Sequence, residues 1–168
     1  MTEIPEGKDF DMNEGVDSGK GSLGGAVFGV QLSPKDAQVI KQSIVKPVSA
    51  ILSGIAAATA TNYGNFFVAD RPYVVVGIAE VHLTAGTDGG AVTVSVEKCS
   101  TGVAPGSGKD LLSTALSLKT TTNTPQFGTL TNTKVDLLIK KGDRLVLKDA
   151  GVLTAVADVC VTVTLKER

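Results

Sequence analysis

The stretch Val159-Cys160-Val161-Thr162-Val163-Thr164-Leu165 puts a branched apolar side chain at every odd position and a smaller or hydroxylated one between. A helix would scatter such residues around its circumference. An extended chain sends them to opposite faces, because side chains along a strand alternate with a period of two. Val92, Val94 and Val96 alternate with Thr93, Ser95 and Glu97 in the same way. A chain that repeats this pattern is confined to strands with one buried face. Candidate strands are Val48–Thr61, Phe66–Ala69, Tyr73–Thr84, Ala91–Lys98, Leu112–Leu118, Gln126–Thr131, Asp143–Lys148 and Ala157–Lys166. Turn chemistry separates them at Asn62–Asn65, Gly86–Gly90, Pro105–Gly108, Lys141–Asp143 and Asp149–Gly151. Val (22), Thr (18) and Gly (19) are correspondingly abundant among the 168 residues, and β-branched side chains pack well on a pleated surface. These features predict an all-β fold, an antiparallel β-sandwich of jelly-roll type, with a closed barrel as the second architecture.

The first third of the chain reads differently. Between Met1 and Ala26 there are six acids and only two bases, with recurrent glycine. Such a segment cannot bury enough apolar surface alone to offset its ordering entropy. It nevertheless carries spaced apolar residues: Phe10, Met12, Leu23, Val27, Phe28, Val30 and Leu32. The mixture suits an extended arm that orders on a partner; a simple flexible tail is the other reading. One short helix is expected near its end. Ser33 suits an N-cap, Pro34 a first helical position, and Lys46-Pro47 a stop. The expected division is therefore an N-terminal arm, 1–46, and a sandwich body, 47–168.

Charge and composition weigh against several functions. With 16 basic and 17 acidic side chains the net charge is -1, so bulk charge does not draw the chain to nucleic acid. One histidine, His82, excludes a multi-histidine metal site, and any histidine-dependent catalysis would rest on it alone. It is expected to be a hydrogen-bonded structural residue; in a trimer it would be a candidate pH sensor at the subunit contact. Cys99 and Cys160 lack metal-ligand spacing and read as small buried hydrophobes, with a single disulfide as the other option. The apolar run Ile51–Ala60 is shorter than a membrane span, and the acidic start has no leader character, so a soluble protein without membrane contact is expected.

Several motifs invite chemistry. Gly102-Val-Ala-Pro-Gly-Ser-Gly-Lys109-Asp110 resembles a phosphate-binding loop, but its spacing is one residue too long and Asp110 stands where Ser or Thr would hold magnesium. A surface loop is expected. Asp88-Gly89-Gly90 and Gly142-Asp143 present carboxylates singly, whereas calcium needs several together, so turns are expected there. Lys140, Lys141, Arg144 and Lys148 are balanced by Asp136, Asp143 and Asp149 and read as a solvated surface. No catalytic, metal or cofactor residue is predicted, and no enzymatic activity.

Several ordered segments carry a family resemblance. They are His82-Leu-Thr-Ala-Gly-Thr-Asp-Gly-Gly-Ala-Val-Thr-Val-Ser-Val-Glu-Lys98, Thr101-Gly-Val-Ala-Pro-Gly-Ser-Gly-Lys-Asp-Leu-Leu-Ser113, Gly142-Asp-Arg-Leu-Val-Leu147 and Gly151-Val-Leu-Thr-Ala155. Together they resemble a β-sandwich module of tailed-bacteriophage virion proteins, especially head decoration (cement) proteins. The resemblance spans residues 73–166 and leaves the first 46 unmatched. It implies a structural virion protein, often a homotrimer, that binds the major capsid protein on the outer surface of the head and bridges coat subunits. The apolar residues of the arm, Phe10, Met12, Leu23, Val27, Phe28, Val30 and Leu32, are then the expected capsid contacts. A phage fibre or lectin-like receptor-recognition module is the alternative, weakened by the absence of Trp and the presence of only two Tyr.

Overall fold

In the computed structural model, which describes residues 45–52 and 60–168, the alternating runs become strands of two antiparallel sheets. The strands are β1 (Val45–Leu52), β2 (Ala60–Val68), β3 (Tyr73–Val81), β4 (Thr93–Cys99) and β5 (Lys109–Asp110). They continue as β6 (Leu116–Ser117), β7 (Gln126–Phe127), β8 (Leu138–Ile139), β9 (Arg144–Gly151) and β10 (Val159–Glu167). One sheet has the order β1-β10-β3-β7, with β8 also on β3; the other has the order β2-β9-β4-β5, with β6 also on β4. The short strands share positions. β5 pairs with Glu97 and Lys98, and β6 with Thr93 and Val94, further back along β4. β7 and β8 divide the length of β3 in the same manner.

Counting each shared position once leaves eight strands, paired first with last and inward from there: β1 with β10, β2 with β9, β3 with β7 and β8, β4 with β5 and β6. A long hairpin rolled up in this way is the jelly roll. No helix occurs among the described residues.

The alternation explains which side chains meet. Val159, Val161, Val163 and Leu165 of β10 and Val75 and Ile78 of β3 face Val94 and Val96 of β4 and Leu145 and Leu147 of β9 in one continuous core. Leu111, Leu118, Ile139 and Leu153, from the connections and β8, are also fully buried in it. In β10 the inward parity is kept throughout, whereas in β3 it moves from Tyr73 and Val75 to Ile78 and Glu80, because Val76 is an extra residue at the register shift opposite Thr164/Leu165.

The sequence reading needs correction at several places. Val48–Thr61 is not one strand: β1 and β2 belong to different sheets. Asn62–Asn65, read as a turn, lies within β2. An edge strand tolerates such residues because only one side is paired. Asn62 also donates to Asp149 at 2.9 Å, and the register shifts between Asn65 and Phe67. Leu112–Leu118 and Gln126–Thr131 contribute two-residue ladders only, joined by an isolated bridge between Leu112 and Leu130. Leu111, Leu112, Leu116 and Leu118 are all buried, so that segment follows the core rather than a pleat. The expected helix and arm fall on residues outside those described, except that Val45 and Lys46 already pair with Lys166 and Leu165 in β1.

Candidate functional site

The predicted capsid contacts Phe10, Met12, Leu23, Val27, Phe28, Val30 and Leu32 lie outside the described residues. Within the body, the chemistry-bearing side chains fall into three groups, each with a place in the fold.

The first is the glycine-rich loop. β4 alternates, and its Val residues face the core, so Glu97 and Cys99 face the other way. Both are nonetheless buried, because the loop after β4 folds back over that outward face. The Glu97 carboxylate accepts hydrogen bonds from the backbone N–H of Gly106 at 3.0 Å and of Gly108 at 2.5 Å, and from the Cys99 thiol at 3.2 Å. Gly106 has φ +89°, and a Cβ at Gly108 would run into the Glu97 carboxylate and the Lys98 carbonyl. The glycines therefore allow close approach to an anion, as in a phosphate-binding loop, but the anion is the protein's own side chain. Arg144 closes the same loop by donating to the Val103 carbonyl. The Cys99 thiol is pushed up to about 11 by burial and by the Glu97 hydrogen bond, which makes it a poor nucleophile.

The second group is a polar plug at one end of the core. Glu80 and His82 are on the inward side of β3, and both are 1% exposed. His82 Nδ1 lies 2.7 Å from Glu80 Oε1, and Nε2 lies 3.3 Å from the Thr120 carbonyl. Gln126 donates to Glu80 Oε2 at 2.6 Å and to the Ser117 carbonyl at 2.9 Å. The Thr120 carbonyl can only accept, so Nε2 carries a proton. A single further proton then serves the contact between Nδ1 and Glu80. His82 is thus held on both nitrogens inside the core and does not sit at a surface where a subunit contact could form. This corrects the pH-sensor expectation.

The third group closes the opposite end. Lys98 donates to the carbonyls of Val135 at 3.3 Å and Leu138 at 3.0 Å, linking β4 of one sheet to the approach to β8 of the other. Burial lowers its pKa. Nearby, Phe67 and Tyr73 meet edge to face at 5.9 Å, and the Lys46 ammonium lies 5.4 Å from the Phe67 ring centre. Tyr73 donates to Asp70 at 2.5 Å. No buried side-chain nitrogen or oxygen among the described residues lacks a hydrogen-bond partner.

Of the remaining motifs, Lys140 and Lys141 are exposed, but Asp143 and Asp149, expected on a solvated surface, are buried, where Asp143 accepts from the Lys140 N–H at 2.8 Å and Asp149 from Asn62. Asp88 accepts from the Gly90 N–H at 3.1 Å, an Asx-type turn. In the basic group, Lys148 pairs with Asp110 at 3.0 Å and Arg144 bonds to Asn65 at 3.3 Å. Both cysteines are free thiols. Among the described residues no group of three or more His, Cys, Asp or Glu could hold a metal ion, and no helix is long and apolar enough to cross a membrane. A hollow of about 130 Å³ lies over Thr93, Ser95, Asp110 and Lys148; cofactor and drug-sized ligands occupy roughly 300–1,000 Å³.

Glu97, Gln126 and Lys98 were not singled out from sequence. One signal was present for Glu97: an acid inside a Val alternation, followed within the reach of a loop by Gly106 and Gly108. Comparison with protein-family models, curated proteins and solved structures finds no match for this chain.

Proposed function

We propose that this chain is a structural virion protein, a decoration or cement protein that binds the outside of a tailed-phage head as a homotrimer and bridges coat subunits. The observation that carries the reading is how the body uses its reactive side chains. Its histidine, buried glutamates, inward lysine and buried cysteine are all engaged in holding loops and core ends together. What remains is surface. A protein that works by its surface suits a scaffold that opposes pressure from packaged DNA.

The family resemblance is consistent with this use. Three of its four segments meet at the glycine-rich loop: Gly106 and Gly108 donate to Glu97, and Arg144 donates to Val103. The acidic N-terminal segment with its apolar residues supplies the capsid contact in this reading. Three copies on one trimer raise the effective concentration, so modest affinity per arm is enough.

The test is sedimentation of empty heads of the same phage with the full-length chain. Saturable co-sedimentation is expected. Replacing Phe10 and Phe28 by Asp is expected to weaken it at least tenfold. A chain that stays in the supernatant at every concentration overturns the decoration reading. Full binding by the doubly substituted chain overturns the role of the arm. Glycan binding without head binding would support the receptor-recognition module instead.

A further inference from the structure

The loop between β4 and β5 is held in shape from several sides. Two turns close within it: the Val103 N–H donates to the Ser100 carbonyl at 3.0 Å, and the Ser107 N–H to the Ala104 carbonyl at 3.1 Å. The Arg144 guanidinium donates to the Val103 carbonyl, and the Thr101 hydroxyl donates to the Gly142 carbonyl at 3.3 Å. At the far end Lys109 and Asp110 pair along the backbone with Lys98 and Glu97, and the Leu111 N–H donates to the Val96 carbonyl at 2.9 Å. None of these bonds uses the Glu97 side chain. The Ser107 N–H is taken up by its own turn, whereas the N–H groups on either side of it, those of Gly106 and Gly108, converge on one oxygen, Glu97 Oε1. The Cys99 thiol donates to the same oxygen, and the Gly106 N–H also lies 3.2 Å from Oε2.

We infer that the loop 102–109 is a preformed carboxylate-binding site, filled by the chain's own Glu97, and that it takes a free short-chain carboxylate once that side chain is removed. Successive backbone N–H groups that converge in this way make a nest for an anion. The bonds that shape this nest all remain when the anion goes, so the donors stay aimed at an empty slot. Unmet buried donors are costly, and a charged acceptor satisfies them best. The size of the ligand follows from the substitution. Glu97→Ala takes away Cγ, Cδ, Oε1 and Oε2, and those atoms together make up acetate. Glu97 is 2% exposed, so the vacated slot is enclosed and keeps the planar shape of the carboxylate that filled it. Acetate fits that slot, whereas a tetrahedral phosphate does not. The site belongs to the body alone, and it stands or falls separately from the virion reading.

The experiment uses the full-length chain carrying Glu97→Ala, unfolded in urea at neutral pH in sodium acetate and in sodium chloride of equal ionic strength. A ligand that binds only the folded state stabilises it in proportion to the logarithm of its concentration above Kd. Acetate is therefore expected to raise the urea midpoint of the variant and to recover at least half of what the substitution loses. The parent chain and Glu97→Gln, whose slots are filled, are expected to respond far less. In heteronuclear NMR spectra of the variant, the Gly106 and Gly108 amide signals are expected to move most on addition of acetate and to stay in place on addition of phosphate. An equal response of the variant and the parent chain to acetate overturns the site. So does a response that leaves the Gly106 and Gly108 signals where they were. A variant that folds in neither salt also overturns it, because a loop shaped by its other bonds folds once its anion is supplied.

Discussion

Glu97 does for its loop what a bound phosphate does for a nucleotide-binding loop: it gives converging backbone N–H groups an anion to donate to. Glu97→Ala would leave the Gly106 and Gly108 N–H groups without that acceptor. A loss of about 2–3 kcal/mol is expected in urea unfolding. Glu97→Gln retains an acceptor oxygen and should lose less. Cys99 adds a pH dependence with a definite sign. Burial and the Glu97 bond raise its pKa from 9.0 to about 11. The unfolded chain releases this proton first, so between those values the folded state binds more protons and stability falls as pH rises. Below 9.0 the stabilising contribution is complete, and above about 11 it is gone. Comparing urea midpoints of the parent chain and Cys99→Ala across that window should show a shallower alkaline decline in the variant. An equal slope in both would contradict the assignment. The burial of Cys99 was legible in the residues, whereas for Glu97 the one signal was the pair of glycines that follows it. Glu97 reads as the polar half of an alternating strand, hence as solvent-facing, and only the return of the loop shows that its outward face is itself an interior.

Among the elements, legibility tracked length. The alternating runs that became β3, β4, β9 and β10 were placed to within a few residues, because a long strand with one buried face writes its period into the sequence. The two-residue ladders β5 to β8 have no period to read; their partner strands decide where they pair. Asn62–Asn65 misled for a related reason, since turn-forming residues also suit an edge strand. Lys98 shows how elements of the two sheets are tied. Its position after Val94 and Val96 sends it inward, where only the carbonyls of Val135 and Leu138 are available. Lys98→Met keeps the stem and removes both bonds. It is expected to cost about 1–2 kcal/mol and to speed amide hydrogen exchange at Leu138–Ile139. Unchanged exchange there would mean that β8 is held by Tyr73 and Val74 alone.

At the scale of the whole molecule, the jelly roll depends on contacts between the ends of the body. Val45 pairs with Lys166, and β10 lies between β1 and β3. Periodicity announces strands but not partners, so the sandwich class followed from the residues, whereas this pairing order emerged only in three dimensions. The functional residues expected in the N-terminal segment lie outside the described residues, and their role rests on composition and on the proposed use of the body. Both meet in one claim: the chain coats the outside of a head. Cryo-electron microscopy of empty heads saturated with the full-length chain tests it most directly. The account predicts three-lobed density on the outer surface at symmetric positions, each lobe the size of one sandwich, with connections reaching the coat subunits below. A bare head surface, or density confined to the tail or fibres, would contradict it.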